Sequence, residues 1–150
     1  GFTVKAALDL GLHAKGIDID GTAVAQSQRT YGAEHFQTIS VEQYAATGAK
    51  ADLIYTSEVI EHVHDPAEFV SAIAAILEKG GLLYLTTPDA GHWRTPRNFA
   101  QWEQAMPPEH ITYFTRRGIS LLLEQHGLRV QSFTFTLKPH IRLIACKVGG

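Results

Sequence analysis

Carboxylates and imidazoles are concentrated in the segment from Thr56 to Asp65, which reads TSEVIEHVHD. These side chains move protons near neutral pH, and both also bind metal ions. A metal site formed by Glu61, His62 and His64 has a workable spacing, but the chain offers no identifiable further ligand for it. We therefore predict no metal here, and we interpret His64 as solvated and Asp65 as the cap of a following helix.

Asp18 is a second candidate, because it ends the predicted strand in the segment GIDID at 16–20, 17 residues after Gly1. A carboxylate in that position can accept hydrogen bonds from both hydroxyls of a ribose. If Gly1 is the last glycine of a Gly-rich turn, the helix predicted over 2–10 follows that turn and Asp18 binds a nucleoside cofactor. The alternative is that Asp18 only ends the strand and caps a turn.

The run from Pro88 to His110 has little helical or strand periodicity. Segments of this length inside a compact domain are commonly lids or binding loops. Trp93 and Arg97 belong to a mixture of aromatic and cationic side chains in this run, which suits closure over a ring or an anionic small molecule. The alternative is that the tryptophans anchor the loop and that the arginines are solvated.

Hydrophobic periodicity, caps and glycine stops predict the elements that position these residues. Helices are predicted over 2–10, 22–31, 66–78 and 116–125, with a short one after the capping pattern of Ser40 and Gln43. Strands are predicted over 14–18, 35–39, 51–56, 82–86, 129–137 and 141–148. Strands that alternate with helices form a mostly parallel sheet with helices on both faces, whereas the last two strands, joined only by residues 138–140, form an antiparallel hairpin. The predicted fold class is α/β and Rossmann-like.

Length and composition exclude several classes of protein. The 150 residues fit one domain, which we take to span 1–150, and 13 Lys and Arg against 15 Asp and Glu leave a formal charge of −2. That balance argues against nucleic-acid binding. No apolar run approaches the roughly 20 residues of a membrane span, and no signal-peptide pattern opens the chain, so we expect a cytoplasmic protein. The single Cys146 excludes a disulfide framework and a zinc cluster built from cysteines.

Three segments carry a resemblance to a known family: GIDID at 16–20, ADLIYTSEVIEHVHDP at 51–66 and PPEHITYFTRRGISLLLEQHGLRV at 107–130. By these segments, their order and the closing hairpin, the chain resembles the class I S-adenosylmethionine-dependent methyltransferases, in particular the small-molecule group that includes ubiquinone-biosynthesis-like O-methyltransferases. That family begins with a strand and a Gly-rich turn, whereas this sequence starts at the position of the turn's final glycine. The resemblance implies a domain truncated at its N-terminus, whose central strand comes from a preceding segment or from a second copy in a homodimer.

The resemblance implies cofactor contacts for five residues. Asp18 would bind the ribose hydroxyls, Ile19 would contact the adenine, and Gly1 would belong to the cofactor turn. Ser57 and Glu58 would lie near the methionine end of the cofactor. The cofactor implied is S-adenosylmethionine, with S-adenosylhomocysteine as its product.

The resemblance also implies an acceptor side. Glu61 and His62 would border the methyl acceptor, a small molecule, and His110 of the PPEH segment is a further candidate. Trp93 and Arg97 are the expected acceptor contacts from the long loop. Methyl transfer from a sulfonium is a direct displacement that needs no covalent intermediate and no metal. A hydroxyl acceptor benefits from a base, for which an imidazole is suited, and we expect His62 first and His110 second in that role.

Two other functions remain open. The first is a module that keeps the fold but has lost cofactor binding and serves as an interaction domain. The second is a nicotinamide-dependent oxidoreductase. The closing hairpin disfavours the oxidoreductase, because a dinucleotide-binding dehydrogenase would be expected to continue with parallel strands. Binding of S-adenosylhomocysteine or of a nicotinamide dinucleotide separates the three functions.

Overall fold

A computed structural model describes residues 1–149, which form two compact units, Gly1–Thr47 and a second unit that begins at Gly48. The first unit is a two-stranded parallel sheet with helices. Its elements are α1 (Phe2–Asp9), β1 (Gly16–Asp18), α2 (Gly21–Tyr31), β2 (Phe36–Thr38) and α3 (Val41–Ala46), and β1 pairs with β2.

The helices of the first unit begin at the predicted caps. The Asp20 carboxylate accepts hydrogen bonds from the backbone N–H groups of Thr22 and Ala23, which satisfies donors that the first turn of α2 leaves free. Ser40 and Gln43 form the reciprocal capping box at the start of α3. The cap signals in the sequence therefore place both helices correctly.

The second unit is a four-stranded mixed sheet with two helices. Its elements are β3 (Ala51–Ser57), α4 (Pro66–Ile76), β4 (Leu77–Pro88), α5 (Arg116–Gln125), β5 (Leu128–Phe133) and β6 (His140–Lys147), and the strand order is β3-β4-β6-β5. β3 and β4 are parallel, whereas β6 is antiparallel to both β4 and β5. The predicted α/β sheet with a closing antiparallel hairpin is confirmed.

The core of the second unit lies on its two central strands. Leu83 and Leu85 of β4 and Leu143 of β6 are fully buried, as are Ile119 and Leu123 of α5. Burial of each such side chain contributes about 1.5–3 kcal/mol before the cost of ordering the chain is counted. Among the described residues no helix combines the length and the apolar character that crossing a bilayer would require.

β1 and β3 are both edge strands within the described part of the chain. β1 pairs only with β2, and β3 pairs only with β4. Leu53 and Tyr55 of β3 are more than half exposed although both are largely apolar. An edge strand leaves backbone N–H and C=O groups free to pair. Each of these two strands therefore has one unpaired edge within the described residues.

The predicted boundary between α4 and β4 is wrong by several residues. The helix ends at Ile76 instead of Glu78, because Leu77 adopts extended backbone and is fully buried as the first residue of β4. β4 then bulges before its main pairing with β3 resumes at Leu82. Gly80 takes a positive φ of 80° in this bulge, so it shapes the strand and does not end the helix.

The connection in the final hairpin is longer than predicted. β5 ends at Phe133, so residues 134–139 join the two strands in place of the three residues expected. Within the connection, the Thr136 hydroxyl accepts a hydrogen bond from the backbone N–H of Lys138 at 3.1 Å. Local hydrogen bonds of this kind compete with strand pairing.

Candidate active site

The carboxyl ends of β3 and β4 lie side by side, because the two strands are parallel neighbours. Ser57, the last residue of β3, is in register with Thr86 of β4, and their hydroxyl oxygens are 2.8 Å apart. Ligands of open parallel sheets bind beyond such strand ends. The second unit therefore presents polar groups at the edge where a ligand is expected.

Glu58 follows β3 in a left-handed backbone conformation with a φ of 53°. This conformation is uncommon for a residue with a side chain and often marks a functional turn. Thr86 holds Glu58 twice: its carbonyl accepts the Glu58 backbone N–H at 3.0 Å, and its hydroxyl donates to Oε1 at 2.7 Å. The hydroxyl of Ser57 therefore donates to Thr86 in turn. Oε2 of Glu58 lies 3.5 Å from Nε2 of His140, the first residue of β6.

Glu61 is an ionisable side chain that is only 1% exposed. Its Oε2 accepts a hydrogen bond from the Thr87 hydroxyl at 3.0 Å, whereas Oε1 has no hydrogen-bond partner within the described residues. Burial raises the pKa of the Glu61 carboxyl above its ordinary value of 4.5, and the Glu58 carboxylate adds to the rise. The Glu61 backbone N–H, the Thr87 hydroxyl and His62 lower this pKa in opposition. Because an uncompensated buried carboxylate is costly, the free oxygen marks a position suited to a proton or a cation.

Two imidazoles lie beside Glu61. The ring centroids of His62 and His110 are 4.7 Å apart, with the rings edge to face. Nδ1 of His62 is 2.8 Å from the carbonyl oxygen of Glu109, and Nδ1 of His110 is 2.7 Å from that of Gln104. A carbonyl oxygen only accepts hydrogen bonds, so each Nδ1 carries a proton, and in the neutral form of each ring the lone pair is on Nε2.

Backbone hydrogen bonds bring His110 to Glu61 from a distant part of the sequence. The carbonyl oxygen of Glu61 accepts the N–H groups of Ile111 at 2.8 Å and Thr112 at 3.1 Å. His110 itself is buried, whereas the side chain of His62 is 41% exposed. His62 is thus the imidazole that a molecule arriving from solution can reach.

Glu61, His62 and His110 are also the group in the described chain that could hold a metal ion. One ligand atom from each lies within 4.8 Å of the other two. The metal hypothesis considered from the sequence used His64, which is exposed and is not part of this group. The third ligand comes from a loop that sequence spacing alone could not bring to Glu61.

Three groups that complete the site were missed from the sequence. They are the Thr87 hydroxyl, the His140 imidazole and the backbone carbonyl of Glu109, which contact Glu61, Glu58 and His62. Thr87 does stand at the end of a predicted strand, which is a usable signal. Side chains of a strand alternate between its two faces, however, so the face that Thr87 occupies follows only from the register. His140 belonged to the predicted turn and is instead a strand residue.

The two loop residues expected to contact an acceptor are both exposed. Trp93 is 75% exposed and Arg97 is also exposed. Trp93 lines an open cavity of about 490 Å³, which Arg97 does not line, and the other lining residues are Asp89, Gly91, His92, Thr115, Arg116, Arg117, Phe135 and Thr136. The cluster around Glu61 does not line this cavity either. Trp102 is buried and packs edge to face on Phe99, so it is the tryptophan that anchors the loop.

The first unit holds the other three predicted residues. Asp18 is exposed at the carboxyl end of β1, and its Oδ1 accepts the backbone N–H of Asp20 at 2.9 Å. Ile19 is 77% exposed. Gly1 precedes α1, and a Cβ at this position would lie 2.7 Å from the ring of Tyr31, which is too close. The turn-capping role of Asp18 is therefore present, and it leaves the rest of the carboxylate free for a ligand.

The fold and the polar strand ends agree with the resemblance to the class I S-adenosylmethionine-dependent methyltransferases. The methyltransferase domain family matches residues 3–132, so the chain belongs to that family and the resemblance seen in its sequence is confirmed. A ubiquinone biosynthesis O-methyltransferase of Caulobacter vibrioides is 29% identical over 130 residues, which cover 76% of this chain and 49% of the relative. The chain spans about half the length of the relatives it matches.

Solved structures share the fold. The magnesium protoporphyrin IX methyltransferase of Synechocystis PCC 6803, crystallised with bound SAM, is similar over 98% of this chain and 65% of that one, with a TM-score of 0.70 and 17% identity. The cyclase SpnF is similar over 99% of this chain and 71% of that one, with a TM-score of 0.77 and 13% identity. Since a cyclase shares the fold, the reaction has to be argued from the site.

We predict that Thr87→Val lowers the free energy of unfolding by about 2 kcal/mol, because Oε2 of the buried Glu61 loses its hydrogen-bond donor while the side-chain volume is kept. Thr56→Val is the matched control, since Thr56 is a buried threonine of β3 whose hydroxyl makes none of the described hydrogen bonds. Its effect should stay within about 0.5 kcal/mol. Urea unfolding measures both, and equal stability of the two variants would contradict the role given to Thr87.

Proposed function

We propose that the protein transfers the methyl group of S-adenosylmethionine to a hydroxyl group of a small molecule. Membership of the methyltransferase domain family supports the reaction class. The proposal of a hydroxyl acceptor rests on His62. Its side chain is 41% exposed, and the Glu109 carbonyl accepts the proton of Nδ1, so that Nε2 of the neutral ring has a lone pair that can take a proton. The bound cofactor supplies a methyl group on a sulfonium, which a nucleophile takes by direct displacement.

Asp18, Ile19 and Gly1 have the properties that adenosine binding requires. The Asp18 carboxylate accepts one backbone hydrogen bond and keeps lone pairs for the ribose hydroxyls. The side chain of Ile19 is exposed, and packing of an adenine ring against it would remove its apolar surface from water, which favours binding. Gly1 leaves the start of α1 free of a side chain, so backbone N–H groups there can face a negatively charged group.

Ser57 and Glu58 are proposed to bind the methionine end of the cofactor. The Glu58 side chain is 38% exposed, and Thr86 and His140 hold it in place. A fixed, partly desolvated carboxylate attracts a cationic ammonium or sulfonium more strongly than a mobile carboxylate in water does. Ser57 donates its proton to Thr86, so its oxygen remains an acceptor for the ammonium.

His62 is proposed as the base that takes the proton of the acceptor hydroxyl. Its ring is oriented by the hydrogen bond from Nδ1 to the Glu109 carbonyl, and its side chain is 41% exposed. A neutral imidazole is suited to this task near neutral pH. His110 is the second candidate, because its own Nε2 lone pair lies in the same cluster but in a buried ring.

Glu61, Trp93 and Arg97 are proposed to border the acceptor. Glu61 would act through the groups around it, because it is buried, while Trp93 offers an aromatic face and Arg97 a positive charge at the surface. Trp93 and Arg116 line a cavity with the size of ordinary small-molecule sites, which neither Glu61 nor Arg97 lines. A planar acceptor that carries a negative charge suits these side chains best.

The cellular setting is proposed from composition and from the edge strands. Cys146 is a free thiol, which fits the cytoplasm, and a net charge of −2 fits a small-molecule acceptor better than a nucleic acid. We also propose that the free edges of β1 and β3 are completed by a strand from a preceding segment or from a second copy in a homodimer.

Asp18→Ala is expected to weaken the binding of S-adenosylhomocysteine about tenfold or more, because hydrogen bonds to a charged acceptor are lost. Isothermal titration calorimetry with this product needs no acceptor. Asp9→Ala is the control, since it removes another exposed carboxylate of the same unit, and it should leave the affinity unchanged. A folded protein that binds no S-adenosylhomocysteine would favour the module without cofactor binding, and stabilisation by a nicotinamide dinucleotide instead would favour an oxidoreductase.

His62→Ala is expected to lower kcat about 100-fold on any hydroxyl acceptor, because the proton then has no positioned base. Acceptors are found by screening hydroxylated aromatic acids with methyl-labelled cofactor. The loss should shrink as the pH rises, because the acceptor then ionises without help. His64→Ala, a nearby exposed histidine, should retain full activity. Unchanged turnover in His62→Ala and in the double variant with His110→Ala would refute the base assignment.

A further inference from the structure

We propose that Glu61, His62 and His110 form a binding site for a divalent cation of the Zn²⁺ type. One ligand atom from each residue lies within 4.8 Å of the other two. Oε1 of Glu61 is 4.0 Å from Nε2 of His62, so the carboxylate and the first imidazole already face each other. The site lies wholly within the second unit and needs no residue from outside it.

The unpartnered carboxylate oxygen is the observation that points to a cation. Glu61 is 1% exposed, and its Oε1 makes no hydrogen bond within the described residues although Oε2 is held by Thr87. Buried polar atoms in folded proteins nearly always have a partner. A cation bound between the carboxylate and the two imidazoles would give this oxygen its partner and would balance its charge.

Both imidazoles are already in the form that a metal requires. The carbonyl oxygens of Glu109 and Gln104 accept the Nδ1 protons of His62 and His110 at 2.8 and 2.7 Å. Each Nε2 is therefore free to coordinate. Metal-bound histidines usually donate their other ring N–H to a carbonyl or carboxylate in this way, which fixes the tautomer and the ring orientation.

The spacing requires only a small adjustment. Ligand atoms around a tetrahedral zinc ion at ~2.1 Å stand ~3.4 Å apart, so the present group must contract by about 1 Å or slightly more. His62 can supply most of that movement, because its side chain is 41% exposed. His110 and Glu61 are held more firmly, since the Glu61 carbonyl accepts the N–H of Ile111.

The ligand types select the class of metal. Two imidazoles and one carboxylate suit Zn²⁺ and the later divalent transition metals, whereas Mg²⁺ and Ca²⁺ prefer a shell of oxygen atoms. Three protein ligands leave at least one coordination position for water or for a hydroxyl oxygen. The proposed site is therefore open and suited to binding a further molecule.

The cation site goes beyond the proposed methyl transfer, because its formation needs neither cofactor nor acceptor. When a cation occupies it, the Nε2 lone pair of His62 is coordinated and unavailable as a base. A bound hydroxyl is then acidified by the cation itself, and its proton passes to solvent. The acceptor hydroxyl can thus lose its proton by two routes: to His62 when the cation site is empty, or to solvent when a bound cation acidifies the hydroxyl. A measurement of metal binding distinguishes the two routes.

A Co²⁺ titration of the protein without a polyhistidine tag tests the site, with visible d–d absorption as the readout. We expect one equivalent to bind, to be displaced by Zn²⁺ and to resist an excess of Mg²⁺. Glu61→Gln, which keeps the side-chain shape, and His62→Ala, which changes a half-exposed position, should each weaken Co²⁺ binding at least about tenfold. His64→Ala should bind as the unchanged protein does, and circular dichroism verifies that every variant is folded.

The proposal would be overturned if the unchanged protein shows no saturable Co²⁺ binding, or if Glu61→Gln and His62→Ala both bind Co²⁺ as tightly as the unchanged protein does, because the metal would then be absent or held elsewhere. S-adenosylhomocysteine is titrated into the same metal-free samples. Cofactor binding without Co²⁺ binding rejects the cation site alone, whereas Co²⁺ binding without cofactor binding rejects the methyl-transfer proposal alone.

Discussion

A carboxylate that is removed from water must be given hydrogen bonds, a proton or a counter-charge. Glu61, which follows β3 and is 1% exposed, has this requirement. Thr87 meets part of it from the neighbouring strand. The backbone of Glu61 meets a second requirement, because its carbonyl accepts N–H groups of Ile111 and Thr112 and so ties the loop that contains His110 to the end of β3. The residues that could act on a ligand are therefore assembled around one desolvated charge.

The antiparallel final strand has a chemical consequence as well as a topological one. β6 runs opposite to β4, so its first residue, His140, lies in register with Pro88 at the carboxyl end of β4. This is the edge at which β3 also ends, and Glu58 there receives the Thr86 hydroxyl on one oxygen and His140 near the other. A parallel strand in the place of β6 would put its carboxyl end here instead. The hairpin thus supplies an imidazole partner for a residue held in a left-handed backbone conformation.

Local signals in the sequence predicted the elements well, whereas contacts between distant segments had to come from the structure. The Asp65 cap and the Ser40 capping box depend on neighbouring residues, and both are present as predicted. The apolar run at 51–56 predicted a buried strand, but Leu53 and Tyr55 of β3 are more than half exposed because β3 is an edge strand within the described part of the chain. The end of α4 was missed because burial of Leu77 outweighs the glycine signal that follows it. The third member of the cluster was missed for a related reason, since only tertiary hydrogen bonds bring His110 to Glu61. Spacing along the chain favoured His64, which turns out to be exposed.

We propose that S-adenosylmethionine binds through residues at the carboxyl ends of the parallel strands. Amide chemical-shift mapping by NMR during a titration with S-adenosylhomocysteine tests it most directly, because the map covers every backbone N–H without altering the protein. We expect the largest shifts at Asp18, Ile19 and Glu58, with smaller ones near His62. Saturable shifts confined to other segments, such as α5 or the connection at 134–139, would contradict it.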